Sequence, residues 1–157
     1  MEIERKFLIK KLPDNLESYL HKEYEQGYLS VSPVVRVRKE EDKYFLTYKG
    51  SGTFAREEAN LPLDKASYEH LRQKCDHNLI HKTRYFIPIE NTKLTIELDI
   101  FHDDLSPLIV AEVEFDSIEE ANAFAPPGWF KMDVTDDPTF QNSNLCRIRY
   151  SDISFNE

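Results

Sequence analysis

Carboxylates and cationic groups recur at alternate positions along short stretches of this 157-residue chain. The opening MEIERKFLIK places Glu2, Glu4 and Lys6 two apart. VVRVRKE (34–40) does the same with Arg36 and Arg38, and KTRYFIPI (82–89) with Lys82 and Arg84. KLTIELDIF (93–101) carries Glu97 and Asp99, and LIVAEVEF (108–115) carries Glu112 and Glu114. Side chains of a strand alternate faces with period two, so each set would share one face. Paired carboxylates offer the hard oxygen ligands that Mg2+ and Mn2+ prefer. Paired bases suit phosphate oxygens, Arg as a two-pronged donor and Lys as a point charge.

Taken singly, each segment reads as a half-buried antiparallel strand with a polar face in water. Taken together they ask for more. Acids gather on some segments and bases on others, and like charges placed close together repel. A closed sheet reconciles the pattern. Charged faces turn into a lumen, while apolar residues such as Ile3, Phe7 and Ile9 turn outward beneath covering helices. Charges taken out of water are costly unless paired or metal-bound, so the lumen calls for metal and polyphosphate face to face. An outer-membrane barrel is the other charged-lumen architecture. Residues 1–11 do not read as a signal peptide, and the helical stretches are too many for such a barrel.

Further strands are read in EYEQGYLS (23–30), KYFLTYKG (43–50) and EEANLP (57–62), with Glu41 and Asp42 as a hairpin turn. Helices are expected over 12–21, 63–76, 116–124 and 142–150. Asp64 would cap the second, and Asp116 or Ser117 the third. The expectation is an α+β, mainly β fold, an antiparallel sheet or barrel with peripheral helices, in one domain over 1–157.

Composition bounds the function. With 40% hydrophobic and 31% charged residues the chain is globular. Its net charge of −9 argues against a nucleic-acid polymer or an anionic membrane as partner, and leaves room for a small anion in a local basic pocket. No apolar run approaches the roughly 20 residues of a spanning helix. Cys75 and Cys146 read as free thiols in a reducing cytoplasm, and the five histidines show no ligand spacing.

EIERKF also carries an E-x-E-x-K signature, and the segments after it occur in a familiar order: EQGYLS, VRVRK, YFLTYKG, HKTRYFIP, ELDIF, VAEVEF and DVTDDPTFQNSNL. The set, from residue 2 to about 147, resembles the CYTH, or triphosphate tunnel metalloenzyme, superfamily. The resemblance implies an eight-stranded antiparallel closed barrel whose charged tunnel binds a triphosphate with Mg2+ or Mn2+. By motif position it makes Glu2, Glu4, Glu112 and Glu114 metal ligands, and Lys6, Arg36, Arg38, Lys49, Lys82 and Arg84 substrate ligands. Tyr28 matches a tyrosine assisting the chemistry. Two departures stand out. Arg56 and Asn60 occupy places where acids are common, although Glu58 keeps one, and Arg56 is read as a further phosphate contact. The E-V-T near the C-terminus is Asp133-Val134-Thr135 here, with its base displaced to Lys131.

The implied activity is hydrolysis of a small triphosphate, foremost inorganic tripolyphosphate to pyrophosphate and phosphate. A metal-activated water, Lys82 or Tyr28 would serve as general base. Thiamine triphosphatase, class IV adenylate cyclase and a non-catalytic polyphosphate-binding or nucleotide-binding module are the alternatives. The cyclases share a His-Phe stretch ahead of the first strand that this sequence does not show, and retention of all four acids favours catalysis over sensing. A homodimer is left open.

Overall fold

The computed structural model describes residues 1–155, so the last two residues of the expected 1–157 domain lie outside the described residues. Ten strands form one antiparallel sheet: β1 (Glu2–Ile9), β2 (Leu20–Val31), β3 (Val34–Glu40), β4 (Lys43–Lys49), β5 (Ala55–Arg56), β6 (Glu58–Leu63), β7 (Asp76–Pro88), β8 (Thr95–Phe101), β9 (Ile109–Phe115) and β10 (Phe130–Asp133). Neighbours run β10-β1-β9-β8-β7-β2-β3-β4-β6. β5 precedes β6 by a single residue and pairs with β1 through Glu2↔Arg56 and Ile3↔Ala55. That contact brings the path round into a nearly closed barrel. β10 takes the other half of the same β1 edge, at Phe7 to Ile9. The expected barrel is therefore present, with nine strands along the path where eight were expected; the added strand is β10.

Alternation along each strand separates two faces. Outward, Ile3, Phe7, Ile96, Leu98, Ala111 and Val113 join one apolar cluster with Ala121 and Phe130. Inward, each strand changes character along its length. Glu2, Glu4 and Lys6 give way to Leu8, Glu112 to Val110, Asp99 to Phe101, and Lys82 to Ile80. Leu8, Val110, Phe101 and Ile80 pack with Tyr28 and with Phe140, Leu145, Cys146 and Ile153 of the C-terminal segment. The charged lumen is thus stopped at one end by an apolar plug.

Gly27 shapes β2 at this level. A Cβ there would fall 2.7 Å from both Cys75 Sγ and Leu79 Cδ2, so a larger residue would have to displace those two side chains. The β2 register shifts between Gln26 and Tyr28 on the β7 side. At the β3–β4 hairpin, Glu41 takes φ 56°, the left-handed conformation of a tight turn.

The helices are shorter than expected. α1 (Lys65–Arg72) starts at the expected cap, with Asp64 accepting from the Ser67 N–H at 2.7 Å. α2 (Ile118–Ala123) is capped by Ser117, and α3 is Asn142–Leu145 alone. Over 12–21 there is no α-helix, only a 3-10 turn at Leu16–Ser18. Asn15 turns left-handed at φ 57°, and β2 begins at Leu20 because its backbone pairs with Phe86 of β7. β7 begins at Asp76, six residues before its sequence signal. No helix among the described residues is long and apolar enough to cross a membrane.

Leu98 is completely buried in the outer cluster. Leu98→Ala should lower unfolding stability by about 2–5 kcal/mol in urea titrations. A loss below about 1 kcal/mol would show that this layer does not hold the sheet to its cover.

Candidate active site

The inner face encloses a cavity of about 380 Å3, within the range of small-molecule sites. Strand order sorts its charges. β1, β9 and β8 are neighbours and present Glu2, Glu4, Glu112, Glu114 and Glu97. β7, β2, β3 and β4 follow and present Arg84, Lys22, Arg36, Arg38 and Lys49. Lys6 on the acidic side, and Arg56, Glu40 and Glu58 on the other, complete seven acids and seven bases. The wall is formally neutral although the chain carries −9.

On the acidic wall Glu4 stands directly across from Glu114, and Lys6 from Glu112. Burial, with Glu112 and Glu2 close by, pushes Glu4 up to about 8 against the pull of Lys6 and Lys49. Despite its burial, Glu112 is held well below the usual carboxylate range by Lys6, Arg84 and Lys82. Partial burial and the carboxylates of Glu2, Glu97 and Glu58 raise Glu114 to about 6. Among the described residues Glu114 has no cation within 4.0 Å. Glu2 is held instead by Lys49 at 3.0 Å and Arg56 at 3.8 Å.

On the basic wall Arg84 forks onto Asp99, Nε to Oδ1 at 2.7 Å and Nη2 to Oδ2 at 2.8 Å. It also donates to Glu97 at 2.9 Å. Arg38 donates to Gln26 Oε1 at 2.8 Å, and both Arg38 and Arg84 lie over the Tyr24 ring. Gln26 in turn donates to the Tyr28 hydroxyl at 3.2 Å. That oxygen accepts, so its own proton remains available to the cavity that Tyr28 lines. Burial raises the Tyr28 phenol above its ordinary value, so it keeps its proton at neutral pH.

Eleven of the residues expected from the sequence line this one cavity: Glu2, Glu4, Lys6, Tyr28, Arg36, Arg38, Lys49, Arg56, Arg84, Glu112 and Glu114. Lys82 does not. It is fully buried behind the wall, donating to Asp99 at 2.7 Å and to Asn142 Oδ1 at 3.1 Å. Burial and the neighbouring Arg84 and Arg38 lower it to about 7 although Asp99 pulls the other way. Lys22, Tyr24, Asn60, Asn142 and Ser143 also line the cavity and were not expected there. Lys22, Tyr24 and Gln26 share the parity of Tyr28, a usable signal. Asn142 and Ser143 lie on α3, which no alternation could place.

The donor set suits a hard divalent cation in kind: it is all carboxylate oxygen, crowded enough to force a proton onto Glu4. Among the described residues no three acidic, His or Cys side chains stand close enough to hold an ion as positioned. Glu2 in particular is engaged by cations.

The raised value of Glu4 has a sign that can be checked. A carboxyl whose folded value lies above its unfolded one contributes stability at low pH and loses it as pH rises toward the folded value. For the metal-free protein, the stability of wild type minus that of Glu4→Gln should therefore fall between about pH 5 and about pH 8, then level off. Lys82 titrates in both proteins and cancels in the difference. A difference that does not change with pH would show that Glu4 is not crowded.

The CYTH domain model matches residues 1–124. The inorganic triphosphatase of Nitrosomonas europaea is 39% identical over 149 residues, covering 92% of this chain and 96% of that protein. The inorganic triphosphatase of Acetivibrio thermocellus is 34% identical over 162 residues, covering 97% of each. A crystal structure of an inorganic triphosphatase superposes with a TM-score of 0.69 at 35% identity, covering 93% of this chain and 94% of that one. With its barrel, its sorted charged lumen and these matches, the chain belongs to the CYTH domain family.

Proposed function

We propose that this protein is a divalent-metal-dependent triphosphatase whose substrate is inorganic tripolyphosphate, released as pyrophosphate and orthophosphate. The carrying observation is the division of one cavity into an acidic and a basic wall. The two relatives, both inorganic triphosphatases, support the same reading.

Glu4, Glu112 and Glu114, with Glu2 beside them, would hold Mg2+ or Mn2+. The bound ion would act as a Lewis acid toward the phosphoryl oxygens. The chain's own residues do the rest. Arg36, Arg38, Lys6 and Arg56 receive the remaining anionic oxygens in a site already shielded from water, where fixed donors act more strongly than solvent. Arg84 is locked by three carboxylates and frames the wall. Tyr28 donates a hydrogen bond from its hydroxyl to a phosphoryl oxygen and keeps its proton. Water attacks the terminal phosphorus in line; its oxygen forms the new P–O bond as the bridging oxygen departs with pyrophosphate. Lys82, which burial lowers to about 7, stands behind Asn142 and in its neutral form would take up the water's proton.

With Mg2+ or Mn2+, tripolyphosphate should be hydrolysed with kcat/KM at least equal to that for ATP, with no cyclic nucleotide among the products. EDTA should abolish phosphate release. Full activity in EDTA, or conversion of ATP to a cyclic nucleotide and pyrophosphate, would overturn the proposal. A strong preference for thiamine triphosphate would replace the substrate.

Tyr28→Phe should lower kcat by about 10²-fold or more with KM nearly unchanged, as expected for loss of a positioned hydrogen-bond donor. Equal kcat values for Tyr28→Phe and wild type would leave the tyrosine as packing.

A further inference from the structure

The cations of the cavity are not equally free. Lys6, Arg38, Lys49, Arg56 and Arg84 each have a carboxylate within 4.0 Å. Among the described residues Lys22 and Arg36 have none, and Lys22 is only partly buried, with its ammonium 5.6 Å from the centre of the Phe86 ring. Among the described residues Arg36 is the one lining cation that is both buried and without a counter-charge in contact. Its Nε is buried with no hydrogen-bond partner. An unspent N–H in a desolvated site costs free energy in the empty protein and is recovered when an acceptor arrives.

What holds Arg36 in place is neutral. Arg36, Thr47 and Asn60 lie abreast on β3, β4 and β6, each the cross-strand partner of the next. Arg36 Nη2 donates to Thr47 Oγ1 at 3.2 Å, and that hydroxyl donates to Asn60 Oδ1. Asn60 Nδ2 then donates to Glu58 at 3.1 Å. A carboxylate accepts only, so Glu58 fixes which way the Asn60 amide faces, and the amide fixes the Thr47 proton. Every donor in the relay points from Arg36 toward Glu58. Glu58 reaches the guanidinium by hydrogen bonds only through two neutral groups, and its charge acts on Arg36 through space and not in contact.

On the proposed triphosphatase reading, we propose that Thr47 and Asn60 are positioning residues that aim Arg36 into the cavity while keeping any carboxylate out of contact with it, which makes Arg36 the first contact for the incoming polyphosphate. Asn60 then has a specific role at a place where an acid would bring a counter-charge to the relay. An acid at 60 would neutralise Arg36 in advance and weaken the hold on an anion.

The test is direct binding of tripolyphosphate without metal, by calorimetry, together with KM and kcat in metal, for Asn60→Asp, Thr47→Val and Thr47→Ser. Asn60 is exposed, so its substitution leaves the fold intact. Asn60→Asp and Thr47→Val should each weaken binding and raise KM by about tenfold with kcat changed less than about twofold. Thr47→Ser, which keeps the hydroxyl, should restore most of the loss. Wild-type binding with unaltered affinity in Asn60→Asp would overturn the positioning role alone. Failure of wild type to bind or hydrolyse tripolyphosphate would overturn the triphosphatase reading itself.

Discussion

The lumen depends on the buried fork between Arg84 and Asp99. The two residues are cross-strand partners on β7 and β8, at the point where the acidic strands meet the basic ones. Asp99 is fully buried and also receives Lys82, so two cations of β7 are anchored on one carboxylate. Removing one partner of such a pair leaves an uncompensated charge and typically costs about 3–5 kcal/mol. A ring of acids followed by a ring of bases has two seams. The second lies at the closure of the barrel, where Glu2 meets Lys49 of β4 and Arg56 of β5. Both seams are ion-paired. The sorting that prepares the cavity for opposite charges is therefore also what lets the sheet close on itself.

Much of this was legible because charge alternation is a property of the chain alone. The parity of Glu2/Glu4, Arg36/Arg38 and Glu112/Glu114 places each on the inner face whatever their neighbours turn out to be. Neighbours are another matter. That β9 lies between β1 and β8, putting Glu4 across from Glu114, follows from long-range pairing that no local pattern encodes. The start of β7 is similarly hidden, since residues 76–81 carry mixed polarity and are made strand by pairing with β2. The segment 12–21 has helical composition, but Asn15 turns the chain and β7 claims Leu20.

Lys82 shows the remaining gap. Its parity is right and it does face inward, yet it touches no lumen. The reason is Asn142, carried in by a four-residue helix and standing between the ammonium and the cavity. Parity tells which side of a sheet a residue occupies and says nothing of what stands in front of it. Tyr24 was overlooked for the opposite reason: it carries no charge, but its ring lies against Arg38 and Arg84 and flattens them along the wall.

The apolar plug makes the lumen a cup. Leu8, Ile80, Phe101 and Val110 meet Phe140, Leu145 and Ile153 in one apolar cluster across the barrel. Whatever enters must leave by the same mouth. On the triphosphatase reading, a long polyphosphate would not be drawn through and cut at intervals as thread through an eye; it would offer its last few phosphates and withdraw. On the same reading, each turnover would have to clear the cup before the next begins. The stopper at the far end would, on that reading, favour chain ends and short chains with no contact to the part of the ligand that it excludes.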